Sequence, residues 1–255
     1  MSELARALDF VHGLAEAAVT TVVRDGPITA LVTPDLPLVW DANHLRMDGD
    51  ARVDAAELAD EARRVRVPSM VVVPDHAAGE RLVPEFRALG WRVMRHRYMV
   101  HRGAPPTGPP AREADIVAVE PPRRELILAE QWGTRAVADQ VLTFERRLGA
   151  AAGSDRWFAA PTVGPVTSCC RVLAAGAVGQ IEDVGTAPAV RRRGLARAVV
   201  CAAVAASRSA GHELTFLNCD ADGWVVDFYK RLGAVPLSDW IVFRLTGDAL
   251  EKLHE

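Results

Sequence analysis

The 255-residue chain exceeds the usual size of a single domain, and 49% hydrophobic with 25% charged residues is an ordinary globular composition, able to bury a sizeable core. That balance excludes disorder over most of the chain. A formal net charge of -3 at pH 7 supplies no overall field that would draw the chain onto nucleic acid or an anionic membrane surface.

Taken in chain order, Leu4 to Val19 has helical periodicity, Ile28 to Thr33 and Leu45 to Met47 are short strand-like runs, and Asp54 caps a helix reaching about Val65. Ser69 to Val73 fits a buried strand, His76 to Leu89 a helix stopped by Gly90, and Trp91 to His101 a closing strand. Residues 103–110, GAPPTGPP, can join neither a helix nor a ladder and are expected to link a first domain, 1–102, to a second, 111–255. Beyond them the pattern predicts a strand at Asp115 to Val119, helices around Arg123 to Trp132 and Val137 to Leu148, then strands at Arg156 to Ala160, Val166 to Leu173 and Ala177 to Thr186. Helix and strand then alternate: Gly194 to Ser209, Leu214 to Asn218, Trp224 to Leu232 ended by Gly233, and Trp240 to Leu245. Leu89-Gly90 and Leu232-Gly233 occupy matching places before a last strand, at an offset of 143, which points to a duplication.

Cys169, Cys170, Cys201 and Cys219 show no CxxC spacing and no neighbouring His pair, so neither zinc nor a disulfide framework is expected, and reduced core thiols follow. His44, His96 and His101 also lack ligand spacing and are expected at the surface or in local hydrogen bonds, and Trp157 and Trp224 are read as core or acceptor-pocket aromatics. No charged leader and no apolar run of about 18 residues is evident, from which cytoplasmic residence, away from membranes, is expected.

Chemistry concentrates in Gln180 to Val200, where an apolar strand ends in a Pro-containing loop and a helix opens on Arg191, Arg192, Arg193, Gly194, Leu195 and Ala196. A helix N-terminus offers unpaired N–H groups and partial positive charge to a phosphate. The glycine and the small alanine let the backbone come close, and the arginines add charge-assisted donors. This hexapeptide, with Val184 to Pro188 before it, resembles the acyl-CoA motif (Q/R)-x-x-G-x-(G/A) of the GNAT superfamily of acyl-CoA-dependent N-acetyltransferases. Asp222 to Gly233, DGWVVDFYKRLG, is similar to that family's N-x-x-A-x-x-L-Y-x-x-x-G segment, with Asp222 in place of Asn and Val225 in place of Ala.

The resemblance implies an α/β (α+β) fold, a mixed and mostly antiparallel sheet flanked by helices and splayed where acetyl-CoA enters as co-substrate, without a metal. It implies that backbone at Val184 and Thr186 holds the pantetheine arm, that amides from Arg192 to Ala196 cradle the pyrophosphate, and that Tyr229 protonates the departing thiolate. Strand alternation puts Gln180, Glu182 and Val184 on one face and Asp183 on the other, which makes Glu182 the first candidate for the general base. The expected activity is acetyl transfer to a primary amine of a small molecule or amino-acid derivative, by direct attack in a ternary complex. The other readings are a non-catalytic acyl-CoA sensor, a protein N-terminal or lysine acetyltransferase, and, on the arginine triplet alone, a nucleic-acid-binding module. Residues Arg123 to Gly153 are expected to shape the acceptor pocket.

The first half is expected to be a degenerate GNAT-like domain unable to use acetyl-CoA. Its corresponding helix opens on Asp54, Glu57 and Asp60, which would repel pyrophosphate, and Phe86 stands where Tyr229 stands in the second half.

Overall fold

The computed structural model describes residues 1–65, 70–103, 115–117, 123–129, 134–160 and 166–245. The Pro-rich run from 104 to 110 lies outside these residues, as do Ser69, 118–119 and 130–132 of the expected elements. The first half comprises α1 (Glu3–Ala18), β1 (Thr21–Asp25), β2 (Ile28–Val32), β3 (His44–Met47), α2 (Ala55–Arg64), β4 (Met70–Val73), α3 (His76–Ala88) and β5 (Arg92–His101). The second comprises β6 (Asp115–Val117), α4 (Arg124–Ala129), α5 (Arg135–Ala151), β7 (Ser154–Ala160), β8 (Ser168–Ala175), β9 (Val178–Thr186), α6 (Leu195–Ser209), β10 (Leu214–Asp220), α7 (Val225–Arg231) and β11 (Ala234–Arg244). From α1 and α5 onward the two series match element for element.

All described strands join one mixed sheet in the order β1-β2-β3-β4-β11-β5-β10-β9-β8-β7-β6. The last strand of each half is exchanged: β11 pairs antiparallel with β4 and β5, and β5 pairs antiparallel with β10 and β11. Each half also has one parallel pair at the corresponding place, β3 with β4 and β9 with β10. Gly90 and Gly233 end their helices with φ of 80° and 86°, a left-handed turn that glycine adopts without a Cβ penalty.

One face of the sheet carries two cores. Phe86, Leu58, Leu82, Ile241 and Phe243 pack under α2 and α3, and Val199, Val200, Val204, Leu217 and Tyr229 pack under α6 and α7. Val93 and Met99 of β5, of equal parity, contact one core each, so both helix pairs lie on the same side. The opposite face is covered by α1, over Tyr98, Val100 and Phe216, and by α4 and α5, over Trp157 and Cys169 on one side and Ala18 and Leu36 on the other. Cys169 and Cys170 fall into separate clusters on opposite faces, as strand alternation predicts, and burial pushes the Cys169 thiol up to about 12.

The last strand begins at Ala234 rather than Trp240, because residues 234–240 pair along β5 through a bulge at Pro236/Ser238. Thr21–Asp25, at the sheet edge, is exposed apart from the half-buried Val22, so it carries no alternation that sequence could signal. His44 and His101 are buried, His44 in a local contact of Nδ1 with the Asp41 carbonyl at 3.1 Å, and burial holds both at about 4.

Candidate active site

β9 and β10 are paired from Val178 and Leu214 only as far as Ile181 and Leu217. Beyond that point β10 continues along β5 while β9 runs on beside β8 to Thr186. The strands therefore diverge, and among the described residues the edge of β9 from Glu182 to Gly185 has no strand partner on the β10 side, which opens a gap beside it. Val184 lies in this stretch, and Thr186 ends the strand. The Thr186 carbonyl also accepts from Arg191 Nε at 3.0 Å, which ties the arginine back to the strand end.

Within this stretch the structure corrects the expected alternation. The register on β8 moves from Arg171↔Glu182 to Cys169↔Gly185, a bulge in which Asp183 takes a φ of 55°. Asp183 Oδ2 lies 2.6 Å from Arg171 Nε, so both carboxylates sit on the face of Arg171, whereas Val184 packs with Ile181 on the other face. Asp183 thus joins Glu182, and Val184 leaves it.

The loop after β9 makes a short 3-10 turn at Pro188–Val190 and reaches α6 through Arg192 and Gly194, both with positive φ, 65° and 84°. Arg191, Arg192, Arg193 and Gly194 are exposed, Ala196 is half-buried, and Leu195 is driven into the core as the first helical side chain. The first helical bond of this turn runs from Ala198 N–H to the Gly194 carbonyl, and no side chain caps the helix. The preceding amides are therefore unspent donors at the positive end of the helix dipole. A Cβ on Gly194 would meet nothing within 4 Å, so glycine is needed here for its backbone conformation and for close approach from outside, not for want of internal space. The corresponding start of α2 is closed. Asp54 Oδ1 accepts from Glu57 N–H at 2.8 Å and Glu85 Oε2 from Ala55 N–H at 2.9 Å. The open hollow beside it, about 760 Å³, is lined by Asp25, Asp54, Glu57, Asp60 and Glu61.

Glu182 and Tyr229 approach the splay from opposite faces. Glu182 accepts from the Gln180 amide and from Asn218 Nδ2 at 3.2 Å. Burial, reinforced by the charge of Asp183 and opposed by Arg171, pushes its carboxyl up to about 8. Tyr229 is buried among Cys170, Cys219 and Val226 with Phe228 edge-on at 5.1 Å. Burial, with the charges of Cys219, Cys170 and Glu182, raises its phenol, so the hydroxyl keeps its proton.

Sequence gave no sign of the charged cluster that braces this bulge. The buried Arg171 donates to the Glu145 carbonyl at 2.8 Å and to Asp155 at 3.2 Å, and Arg123 pairs with Glu145. The two guanidiniums lie 4.1 and 5.1 Å from the Trp157 ring. Trp157 is therefore a packed ring, while Trp224 is 72% exposed beside Phe228. Five residues from five segments meet here, and no spacing along the chain announces them.

The splayed parallel pair and the uncapped, glycine-started helix lie side by side in an α/β fold with one mixed sheet. Residues 117–234 match the Acetyltransferase (GNAT) family, so the second half carries a GNAT acetyltransferase domain. The whole chain resembles a GCN5-related N-acetyltransferase from Kribbella flavida at 18% identity and a TM-score of 0.65, covering 98% of this chain and 97% of that one. It also resembles a GCN5-related N-acetyltransferase-like protein from Streptococcus suis (13% identity, TM-score 0.58, 95% and 98% covered) and a tandem GNAT protein from the clavulanic acid biosynthesis pathway (14%, 0.52, 95% and 94%). At these identities the likeness is one of fold, and it suggests the tandem architecture that the repeated elements display. No curated protein matches the chain. No helix among the described residues is long and apolar enough to cross a membrane, and no group of His, Cys, Asp or Glu among them is arranged to hold a metal ion.

Proposed function

We propose that the chain is an N-acetyltransferase that moves an acetyl group from acetyl-CoA to a primary amine of a small molecule or amino-acid derivative, by direct attack in a ternary complex. The observation that carries this reading is the splay of β9 from β10 beside the uncapped start of α6, with Glu182 on one side of the gap and Tyr229 on the other. The edge at Val184 and Thr186 takes the pantetheine arm like an added strand, and the turn from Arg191 to Ala196 takes the pyrophosphate.

The amine nitrogen attacks the thioester carbonyl carbon. The C–N bond forms, Glu182 receives the proton directly or through water, the C–S bond breaks, and the Tyr229 hydroxyl protonates the leaving thiolate. The products are an amide and CoA thiol. Acyl transfer through cysteine is disfavoured, because burial holds the thiols of Cys169 and Cys219 up at about 12 and about 11. In the same reading residues 1–102 form a degenerate copy without acetyl-CoA, since carboxylates already occupy the donors of α2. Residence in the cytoplasm, where acetyl-CoA is at hand, belongs to this reading too.

Calorimetry with acetyl-CoA tests it, with one site expected per chain and binding lost in Gly194→Glu. An acceptor screen by thiol release, with mass spectrometry of products, tests turnover. Unchanged binding in Gly194→Glu sinks the co-substrate site, and binding without thiol release from any amine marks a non-catalytic acyl-CoA-binding protein instead.

A further inference from the structure

The bulge in β9 sits where the splay begins. Ile181↔Leu217 is the last pair between β9 and β10, Glu182 follows it, and the bulged residue, Asp183, comes next. From Arg171↔Glu182 to Cys169↔Gly185, three steps along β9 are matched by two along β8, and an extra residue of this kind bends its strand. The bend and the loss of the β10 partner therefore coincide.

This bend rests on a backbone conformation that side chains disfavour. Asp183 has a φ of 55°, and aspartate tolerates the left-handed region less readily than glycine, so surrounding contacts must hold it there. Arg171 Nε lies 2.6 Å from Asp183 Oδ2, and the Cys169 thiol donates to the Asp183 carbonyl at 3.8 Å. Beyond the bulge, Ser168 Oγ donates to the Gly185 carbonyl at 3.0 Å. Before it, the Gln180 amide and Asn218 Nδ2 hold the Glu182 carboxyl.

Arg171 is itself fixed. Its side chain is 1% exposed, and Nη1 donates to the Glu145 carbonyl of α5 at 2.8 Å and to Asp155 of β7 at 3.2 Å. The Nε side of the fork serves Asp183. One guanidinium thus ties β9 to α5 and β7, from the position registered directly opposite Glu182. Lysine, a point charge, lacks the fork that lets two nitrogens serve different partners.

Resting on the acetyltransferase reading above, we infer that Arg171 is a positioning residue for acetyl transfer: its grip on Asp183 holds the bulge that keeps β9 apart from β10 and sets Glu182 at the start of the gap. Arg171 and Asp183 act through the backbone of β9, and Glu182 remains the proton acceptor.

The pair also acts on Glu182 through charge. The titratable and charged groups that bear on that carboxyl are Asp183 of its own strand, Arg171 of β8, Tyr98 of β5, Tyr229 of α7 and Asp41 of the loop before β3. Asp183 raises it and Arg171 lowers it, so removing one or the other should move its titration in opposite directions.

The test uses the full chain, with acetyl-CoA binding followed by calorimetry. Glu182 is titrated by carbon NMR of protein labelled at the glutamate carboxyls, with Glu182→Gln to assign its signal. Asp183→Ala removes the grip and leaves a Cβ in the left-handed conformation, and it should weaken acetyl-CoA binding by roughly tenfold or more. Asp183→Gly adopts that conformation unaided and should stay within about threefold of wild type. Arg171→Met should weaken binding as Asp183→Ala does, and adding Asp183→Gly to it should restore most of the loss. Glu182 should titrate at lower pH in Asp183→Asn and at higher pH in Arg171→Met, opposite shifts that a general loss of stability does not produce. The Asp183 variants decide the matter even where Arg171→Met yields too little folded protein. Wild-type affinity in Asp183→Ala, equal losses in Asp183→Ala and Asp183→Gly, or an unmoved Glu182 titration in Asp183→Asn overturns this inference and leaves the co-substrate site standing. A wild-type chain that binds no acetyl-CoA overturns both.

Discussion

Glu182 and Glu145 are both carboxyls whose burial favours the protonated form, to about 8 and about 9, but their surroundings direct them differently. Glu145 is closed in by Arg123, Arg171 and Asp183 and braces the bulge. Glu182 faces the splay, so its ionisation should govern turnover. Its folded value lies above the ordinary carboxylate range, so the basic form is scarce below pH 7 and grows as pH rises. The acid limb of kcat should therefore rise and level off above about 8, rather than near 4.5, in a pH–rate profile with acetyl-CoA and the amine both saturating. Glu182→Gln should abolish that limb and lower kcat by roughly 10²- to 10⁴-fold. Tyr229→Phe should lower kcat by tenfold or more, roughly one proton-transfer contribution, and leave acetyl-CoA affinity in calorimetry unchanged.

At the scale of the element, two helix starts at corresponding places have opposite electrostatics. The α6 start leaves its amides open behind Gly194, whereas α2 spends its amides on Asp54 and Glu85. Removing the cap by Asp54→Ala should cost about 1 kcal/mol in denaturant unfolding. It should not create a second acetyl-CoA site, since Glu85, Glu57 and Asp60 remain, and calorimetric stoichiometry checks this. Gly194→Ala should cost about 1–2 kcal/mol, because the left-handed conformation at φ 84° crowds a Cβ against its own backbone even where external space is open.

At the scale of the whole molecule, the exchanged strands make the halves interdependent. The ten residues of β5 run along β11 on one side, and His96 to Val100 pair with β10 on the other, while Arg97 of β5 meets Asp239 of β11 at 2.5 and 2.8 Å. A first half on its own would expose both edges of β5, and a second half would leave β10 and β11 without the strand between them. Residues 1–103 and 111–255 expressed as separate chains should co-purify as one species of full-chain size in gel filtration. Two independently folded, non-associating monomers would contradict this. The same interlocking sets Tyr98 and His96 of β5 opposite Asn218 and Asp220 of β10.

The sequence by itself determined the run of helices and strands, the caps at Asp54 and Gly194, the matched helix ends at Gly90 and Gly233, and the α6 turn, because each is set by residues close together in the chain. It did not determine β1, whose exposed edge carries no periodicity, nor the bulge at Asp183, which arises from pairing with β8 and reverses the facing of Val184. Nor could it bring Arg123, Glu145, Asp155, Arg171 and Asp183 together. That juxtaposition depends on strands and a helix meeting from separate parts of the chain, and long-range pairing of this kind leaves no local pattern to read.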